Sequence, residues 1–245
     1  MLERGVKVDP STIYRWVQFY APEVEKRSKP YLKSTNDSYR VDETYIKVKG
    51  KWKYLYRAVD SKGNTIDFLL TAKRDKQAAK RFLRKMMENS HHSTPRVINV
   101  DKNPAYPPAV EELKVESTLP ESCNLRQCKY LNNIIEQDHR FIKRRVNPGL
   151  GLGFGSFHTA KRALQGYEVM NTIRKGQVEG VAKGDIEAQV KFIDQLFTMA
   201  AWEVLLQLIP LSLKNICNTS KFSFDELDRC DIWRLSSSEN DTKMC

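Results

Sequence analysis

At 245 residues the chain can bury one sizeable core and carry a small appendage; its 41 Lys and Arg against 30 Asp and Glu leave a net charge of +11. That balance favours an anionic partner, of which nucleic acid is the commonest. Five cysteines, an odd number, exclude a fully paired disulfide framework, and the most apolar stretch, residues 197–213, contains Glu203, Gln207 and Pro210, which excludes it as a membrane span.

The first element is a helix with clear punctuation. Asp9 suits the N-cap, Pro10 the first helical position, and Ile13, Trp16, Val17 and Tyr20 give an apolar stripe that Pro22 is expected to stop. With Gly5 in the preceding loop, Arg4–Tyr20 reads as the turn and second helix of a helix-turn-helix. In that motif Ser11, Thr12, Tyr14, Arg15 and Gln18 face the major groove. The same pattern also fits an amphipathic helix packed on the next domain. The motif's first helix should precede residue 1, so residues 1–22 are expected to be a partial helix-turn-helix. Residues 23–37, charged and polar with Pro30, read as a linker.

Three strands are predicted next, over Ser38–Val48, Trp52–Asp60 and Thr65–Ala72, the last two joined by a turn at Ser61–Asn64. Asp75 caps a helix whose inner face carries Ala78, Ala79, Phe82, Leu83 and Met86. A buried-type strand over Arg96–Val100, a short helix after Pro108 and a strand near Cys123–Arg126 follow. Then comes a helix through Glu136. Three antiparallel strands followed by alternating helices and strands is the order of an RNase H-like α/β fold: a mixed five-stranded sheet flanked by helices, predicted over residues 38–200. The glycine run Pro148–Gly155 does not complete a dinucleotide fingerprint. It reads as a mobile connection to a helix over His158–Lys175. A packing helix begins near Phe197 in a helical C-terminal region, and residues 201–245 are expected to form a poorly ordered tail. Cys123 and Cys128 have His139 nearby but no second ligand pair of zinc spacing, and read as reduced thiols.

In this fold the first and fourth strands are neighbours, so Asp42 and Asp101, each closing an apolar strand, come together. Glu136 is then delivered from the later helix. Three carboxylates so placed can hold two hard divalent cations, Mg²⁺ or Mn²⁺, as phosphodiester chemistry requires. Lys143 lies seven residues beyond Glu136, two turns along one face, where it can hold a DNA phosphate; it is also part of the basic run Lys143–Arg145. Arg140, Arg144 and His139 are placed to contact DNA backbone. Glu43 should point away from Asp42 and bond locally, and Asp138 lies off the Glu136 face.

The words Val41-Asp42-Glu43-Thr44-Tyr45-Ile46-Lys47 and Asn132-Asn133-Ile134-Ile135-Glu136-Gln137-Asp138-His139-Arg140 closely resemble the DDE transposases of bacterial insertion sequences, specifically the insertion-sequence-six group. The resemblance runs from about residue 3 to about residue 200. It implies metal-dependent DNA cleavage at terminal inverted repeats and strand transfer into target DNA, by Asp42, Asp101 and Glu136 with Lys143. It also implies double-stranded DNA as partner, a homodimer or larger assembly, and a prokaryotic cytoplasmic, nucleoid-associated location without a membrane. Two other readings remain open: an RNase H-like nuclease without strand transfer, and a truncated, inactive remnant that only binds DNA.

Overall fold

The computed structural model describes residues 8–88, 93–128, 133–146 and 154–208, with side chains to residue 198. Helix α1 (Pro10–Ser28) precedes strands β1 (Ser38–Val48), β2 (Lys51–Asp60) and β3 (Thr65–Thr71). Helix α2 (Lys76–Glu88), β4 (Val97–Val100), α3 (Tyr106–Val115) and β5 (Asn124–Gln127) follow, then α4 (Asn133–Val146), α5 (Phe157–Arg174) and α6 (Ile186–Leu208). The five strands form one sheet in the order β3-β2-β1-β4-β5. β1 pairs antiparallel with β2 and β2 with β3, whereas β4 runs parallel to both β1 and β5. This is the RNase H-like arrangement.

Each sheet face has its own core, because alternate strand residues point to opposite sides. Tyr39, Val41, Tyr56 and Ala58 pack with Phe82, Leu83 and Met86 of α2 and Leu113 of α3. All five predicted inner-face residues of α2 are fully buried, the larger ones contributing about 1.5–3 kcal/mol each. The helix begins where expected, with the Ala78 amide donating to the Asp75 carboxylate at 2.8 Å. On the opposite face Ile46, Val48, Leu55, Phe68 and Leu70 meet Ile142 and Val146 of α4 and Ala160 and Leu164 of α5.

Two boundaries differ from the sequence reading. Asp9 caps α1 as predicted, accepting from the Ser11 amide at 2.8 Å, but the helix passes through Pro22 and ends at Ser28. Proline removes the amide that would have bonded the Gln18 carbonyl. Arg162 Nη1 of α5 donates to that carbonyl instead, at 3.3 Å. Residues 23–28, read as linker, are therefore helix held by tertiary contacts. At the other end, α6 carries the backbone as helix to Leu208, so residues 201–208 are not irregular; the rest of the expected tail lies outside the described residues. The chain falls into two compact units, residues 1–196 and 197–245. Among the described residues no helix is long and apolar enough to cross a membrane.

Helices α1 and α5 meet at Gly166, where an added Cβ would lie 2.9 Å from the Ala21 Cβ. Gly166→Ala gains about 1 kcal/mol of helix propensity but incurs an overpacking cost of about 1–3 kcal/mol. A net destabilisation of up to about 2 kcal/mol is expected in urea unfolding. A variant more stable than the parent would show that the helices separate freely.

Candidate active site

β1 lies between β2 and β4, and its parallel register with β4 pairs Arg40 with Asn99. Two residues further along each chain are Asp42 and Asp101, so the strand alignment itself brings the two aspartates together. Asp101 directly follows β4 and starts a tight polar turn: its Oδ1 accepts from the Asn103 amide, and Asn103 Oδ1 accepts from the Ala105 amide, each at 3.0 Å. Carboxylate oxygens of Asp42, Glu43 and Asp101 lie within 4.8 Å of one another.

Glu43 does point to the other side of β1, as alternation requires, but its bonds are not local. It accepts from Arg74 Nε, from Asn103 Nδ2 at 2.8 Å and from the Tyr106 hydroxyl at 2.5 Å. These donors come from the β3–α2 loop, the turn after β4 and the start of α3. Burial, reinforced by the Glu43 charge, raises the Tyr106 hydroxyl well above its ordinary pKa, which keeps it a donor. Arg74 loses solvation by partial burial, yet Glu43 holds its guanidinium above the usual value. Arg74 also reaches Asp101 Oδ2 through Nη2 at 3.4 Å, and its Nη1 donates to the Tyr45 hydroxyl at 3.4 Å. The guanidinium thus neutralises part of the acidic cluster.

Helix α4 buries Ile135, His139, Ile142 and Val146. His139 was placed by sequence as a DNA-backbone contact; it is instead 4% exposed, with Nε2 3.3 Å from Asp42 Oδ2. Helical periodicity sets Glu136 one turn before His139 and Lys143 one turn after, on the edge of α4 beside that contact. Both are exposed. Glu136 is not part of the group within 4.8 Å, so the predicted trio is two-thirds assembled, with Glu43 beside it. Arg140 and Arg144 are exposed on the outer side of the same helix.

Asp138, on the other edge of α4, belongs to a network that sequence reasoning missed. Arg57 of β2, 1% exposed, donates to Glu168 of α5 at 2.6 and 2.8 Å and to Asp138 at 2.6 Å; Lys175 pairs with Asp138 at 2.7 Å. Burial alone would raise the Asp138 carboxyl, but Arg57 and Lys175 hold it below the ordinary aspartate value. Burial pulls Lys175 down, with Arg57 adding to it and Asp138 opposing. One signal was available: Arg57 interrupts the apolar run Tyr54–Val59, and a charge inside a buried strand demands partners.

The residues assigned to groove recognition lie along α1. Ser11, Tyr14 and Arg15 are exposed and Thr12 half-buried. Gln18 is not available to DNA, because its Nε2 donates to the Thr159 carbonyl of α5 at 3.1 Å. The apolar stripe of α1 also turns out largely solvent-facing at Ile13, Trp16 and Tyr20, because Val17 and Ala21 make the contact with Gly166. Cys123 is a buried free thiol in the core, raised by burial, and His139 points elsewhere, which leaves no zinc group among the described residues. The glycine run lies outside the described residues apart from Phe154 and Gly155.

A hard-oxygen donor set of this kind suits divalent cations such as Mg²⁺, Mn²⁺ or Ca²⁺ rather than soft metals. Known proteins resemble this chain in sequence and fold. A family model described as a DDE domain matches residues 36–177. The transposase for insertion sequence-like element IS431mec of Staphylococcus aureus is 40% identical over 173 residues, 71% of this chain and 74% of the relative. The transposase for insertion sequence element IS257 in transposon Tn4003, also of S. aureus, is 40% identical over 172 residues, 70% and 73% of the two chains. Among solved structures, the HTLV-2 integrase catalytic core domain in complex with magnesium aligns with a TM-score of 0.42 at 15% identity, covering 60% of this chain and 92% of that one. An intasome of simian T-cell lymphotropic virus aligns at 0.45 and 14%, covering 60% and 52%. With the family domain matching more than half of this chain and the relatives matched over nearly three-quarters of their length, the chain belongs to the DDE transposases of the insertion-sequence-six group.

Proposed function

We propose that Asp42 and Asp101, with Glu136 completing the set from α4, are the catalytic carboxylates of this transposase. They serve cleavage at the ends of its element and joining of those ends to target DNA. The observation that carries the reading is the convergence of the Asp42 and Asp101 carboxylates at the β1–β4 junction, inside the matched domain. These carboxylates would hold two divalent cations, Mg²⁺ or Mn²⁺, which supply Lewis-acid activation of the attacking oxygen and charge relief at the leaving oxygen. His139 orients Asp42, and the Asn103 amide with Arg74 orients Asp101. Lys143 holds a backbone phosphate one face-repeat from Glu136, and Arg140 and Arg144 extend that contact outward. Ser11, Thr12, Tyr14 and Arg15 on α1 meet DNA at the terminal inverted repeats; Gln18 is excluded by its bond to α5. No serine or tyrosine nucleophile is needed, because the attacking groups are water and then a DNA 3′-hydroxyl. The working form is a dimer or larger assembly on paired ends, in the bacterial cytoplasm.

Labelled oligonucleotides carrying the element ends, supplied with target plasmid and Mg²⁺ or Mn²⁺, test this directly. Joined products are expected from the parent chain, and Glu136→Gln should lose them while retaining DNA binding. Cleavage without joining would make the protein a nuclease, and binding alone a remnant.

A further inference from the structure

β4 ends at Val100, but β1 and β2 continue past the acidic cluster as an antiparallel hairpin closed at Lys49 and Gly50. Both turn residues have positive φ, 50° and 71°, the left-handed pair that a two-residue hairpin turn needs. One face of the hairpin continues the face carrying Glu43. On it Tyr45 stands opposite Tyr54 and Lys47 opposite Trp52. The Tyr45 ring lies 5.3 Å from Tyr54 and, nearly perpendicular, 6.5 Å from Trp52. Lys47 Nζ sits 4.9 Å from the Trp52 ring centre. Trp52 is 58% exposed and Tyr45 46%.

The other face of the hairpin is committed. Ile46, Val48 and Leu55 are buried, and the Lys49 amide donates to the Phe154 carbonyl at 2.8 Å. The aromatic face is therefore mounted on a fixed support. Its charge is one-sided: Lys47 stands on it and Lys49 sits at the turn beside it, while Lys51 and Lys53, opposite Val48 and Ile46, fall on the other face, and no acid occurs from Thr44 to Val59. It is also continuous with the acidic cluster, since the guanidinium that touches the Tyr45 hydroxyl touches Asp101. A cross-strand aromatic ladder would by itself steady the hairpin, but it calls for neither half-exposed rings nor a lysine beside them. Duplex DNA presents phosphates to such a surface and would use the lysines alone. Unpaired bases use both, stacking on ring faces while lysines track the backbone.

We propose that the Tyr45–Trp52–Tyr54 face, with Lys47, binds unpaired DNA bases next to the phosphate being cut or joined. The inference rests on the strand-transfer reading of Asp42 and Asp101. It is tested with the full chain in chelator, without divalent metal, so that binding is read apart from chemistry. The probes are a blunt fluorescent duplex and the same duplex carrying a single-stranded overhang of about six thymidines, in the range of one stacking site. Trp52→Ala should weaken overhang binding about tenfold while changing blunt-duplex binding less than about twofold, and Trp52→Phe should restore most of the loss. Thermal midpoints report folding, and Trp52→Leu, which keeps apolar cover without a ring face, serves where alanine unfolds the hairpin. Equal losses on both probes, or none, overturn the proposal. So does a change in sedimentation with DNA binding intact, which would assign the face to a second copy of the chain. Asp42→Asn should bind the overhang as the parent does; if it does and the parent still joins no DNA, the function fails while the stacking site stands.

Discussion

Asp42→Asn is expected to lower strand transfer by about a thousandfold or more, with duplex binding and thermal stability close to the parent. The substitution keeps the shape of the side chain, and its amide, which carries both an acceptor and a donor, can still bond His139 Nε2, so the α4 contact with β1 survives. What it removes is the negative charge. Losing several kcal/mol of cation-mediated charge stabilisation at phosphorus, at about 1.4 kcal/mol per decade, gives that factor. A readout independent of activity separates this from a folding defect. At a hundred times its Kd a cation that binds the folded chain adds about 2.7 kcal/mol, so Mn²⁺ should raise the parent's thermal midpoint and leave that of Asp42→Asn unmoved. Glu43→Gln is the informative control, because Glu43 sits in the same carboxylate group. Its two oxygens already serve Arg74, Asn103 and Tyr106, so this variant should lose about 1–3 kcal/mol of stability and keep the Mn²⁺ response. The reverse pattern, with Glu43→Gln deaf to Mn²⁺ and Asp42→Asn responsive, would exchange the roles of the two residues.

The parts of this fold that the sequence carries openly are those decided by local rules. The strand Ser38–Val48, closed by the turn at Lys49 and Gly50, and α2, with its Asp75 cap and five-residue apolar face, each leave a local trace in the sequence. The pairing of Asp42 with Asp101 followed from strand order. What stayed hidden depends on partners far along the chain. Pro22 reads as a stop, and only Arg162, 140 residues later, removes the penalty for the orphaned Gln18 carbonyl. Glu43 reads as locally bonded and His139 as a DNA-backbone contact, yet each is buried against donors or acceptors from other elements. The apolar stripe of α1 misled for a related reason. The close approach of α5 is permitted by Gly166, so the helix docks on Val17 and Ala21 rather than on its larger aromatic side chains.

Arg57→Met should destabilise the protein by about 3–5 kcal/mol, a large part of the 5–15 kcal/mol typical of a folded domain. Arg57 pairs across β1–β2 with Asp42, so its side chain rises from the sheet on the side where α4 and α5 pack. There it fills the space between Glu168 and Asp138, whose side chains are 4% and 10% exposed. Methionine matches much of the volume but leaves two buried carboxylates with Lys175 as their remaining cation near Asp138. That uncompensated charge, rather than the lost attraction, sets the cost. It follows that Arg57→Met combined with Glu168→Met should recover much of the loss, since replacing a buried ion pair by apolar groups is often neutral. Urea unfolding of the two variants measures the difference, and a double variant no more stable than the single would show that volume, not charge, governs the position. The repaired protein should still be impaired in joining DNA. Asp138 stands on the opposite edge of α4 from Glu136 and Lys143, and the Arg57–Asp138 bond fixes the rotation of that helix over Asp42. A core made apolar there restores stability without restoring the angle at which α4 presents its edge to the site.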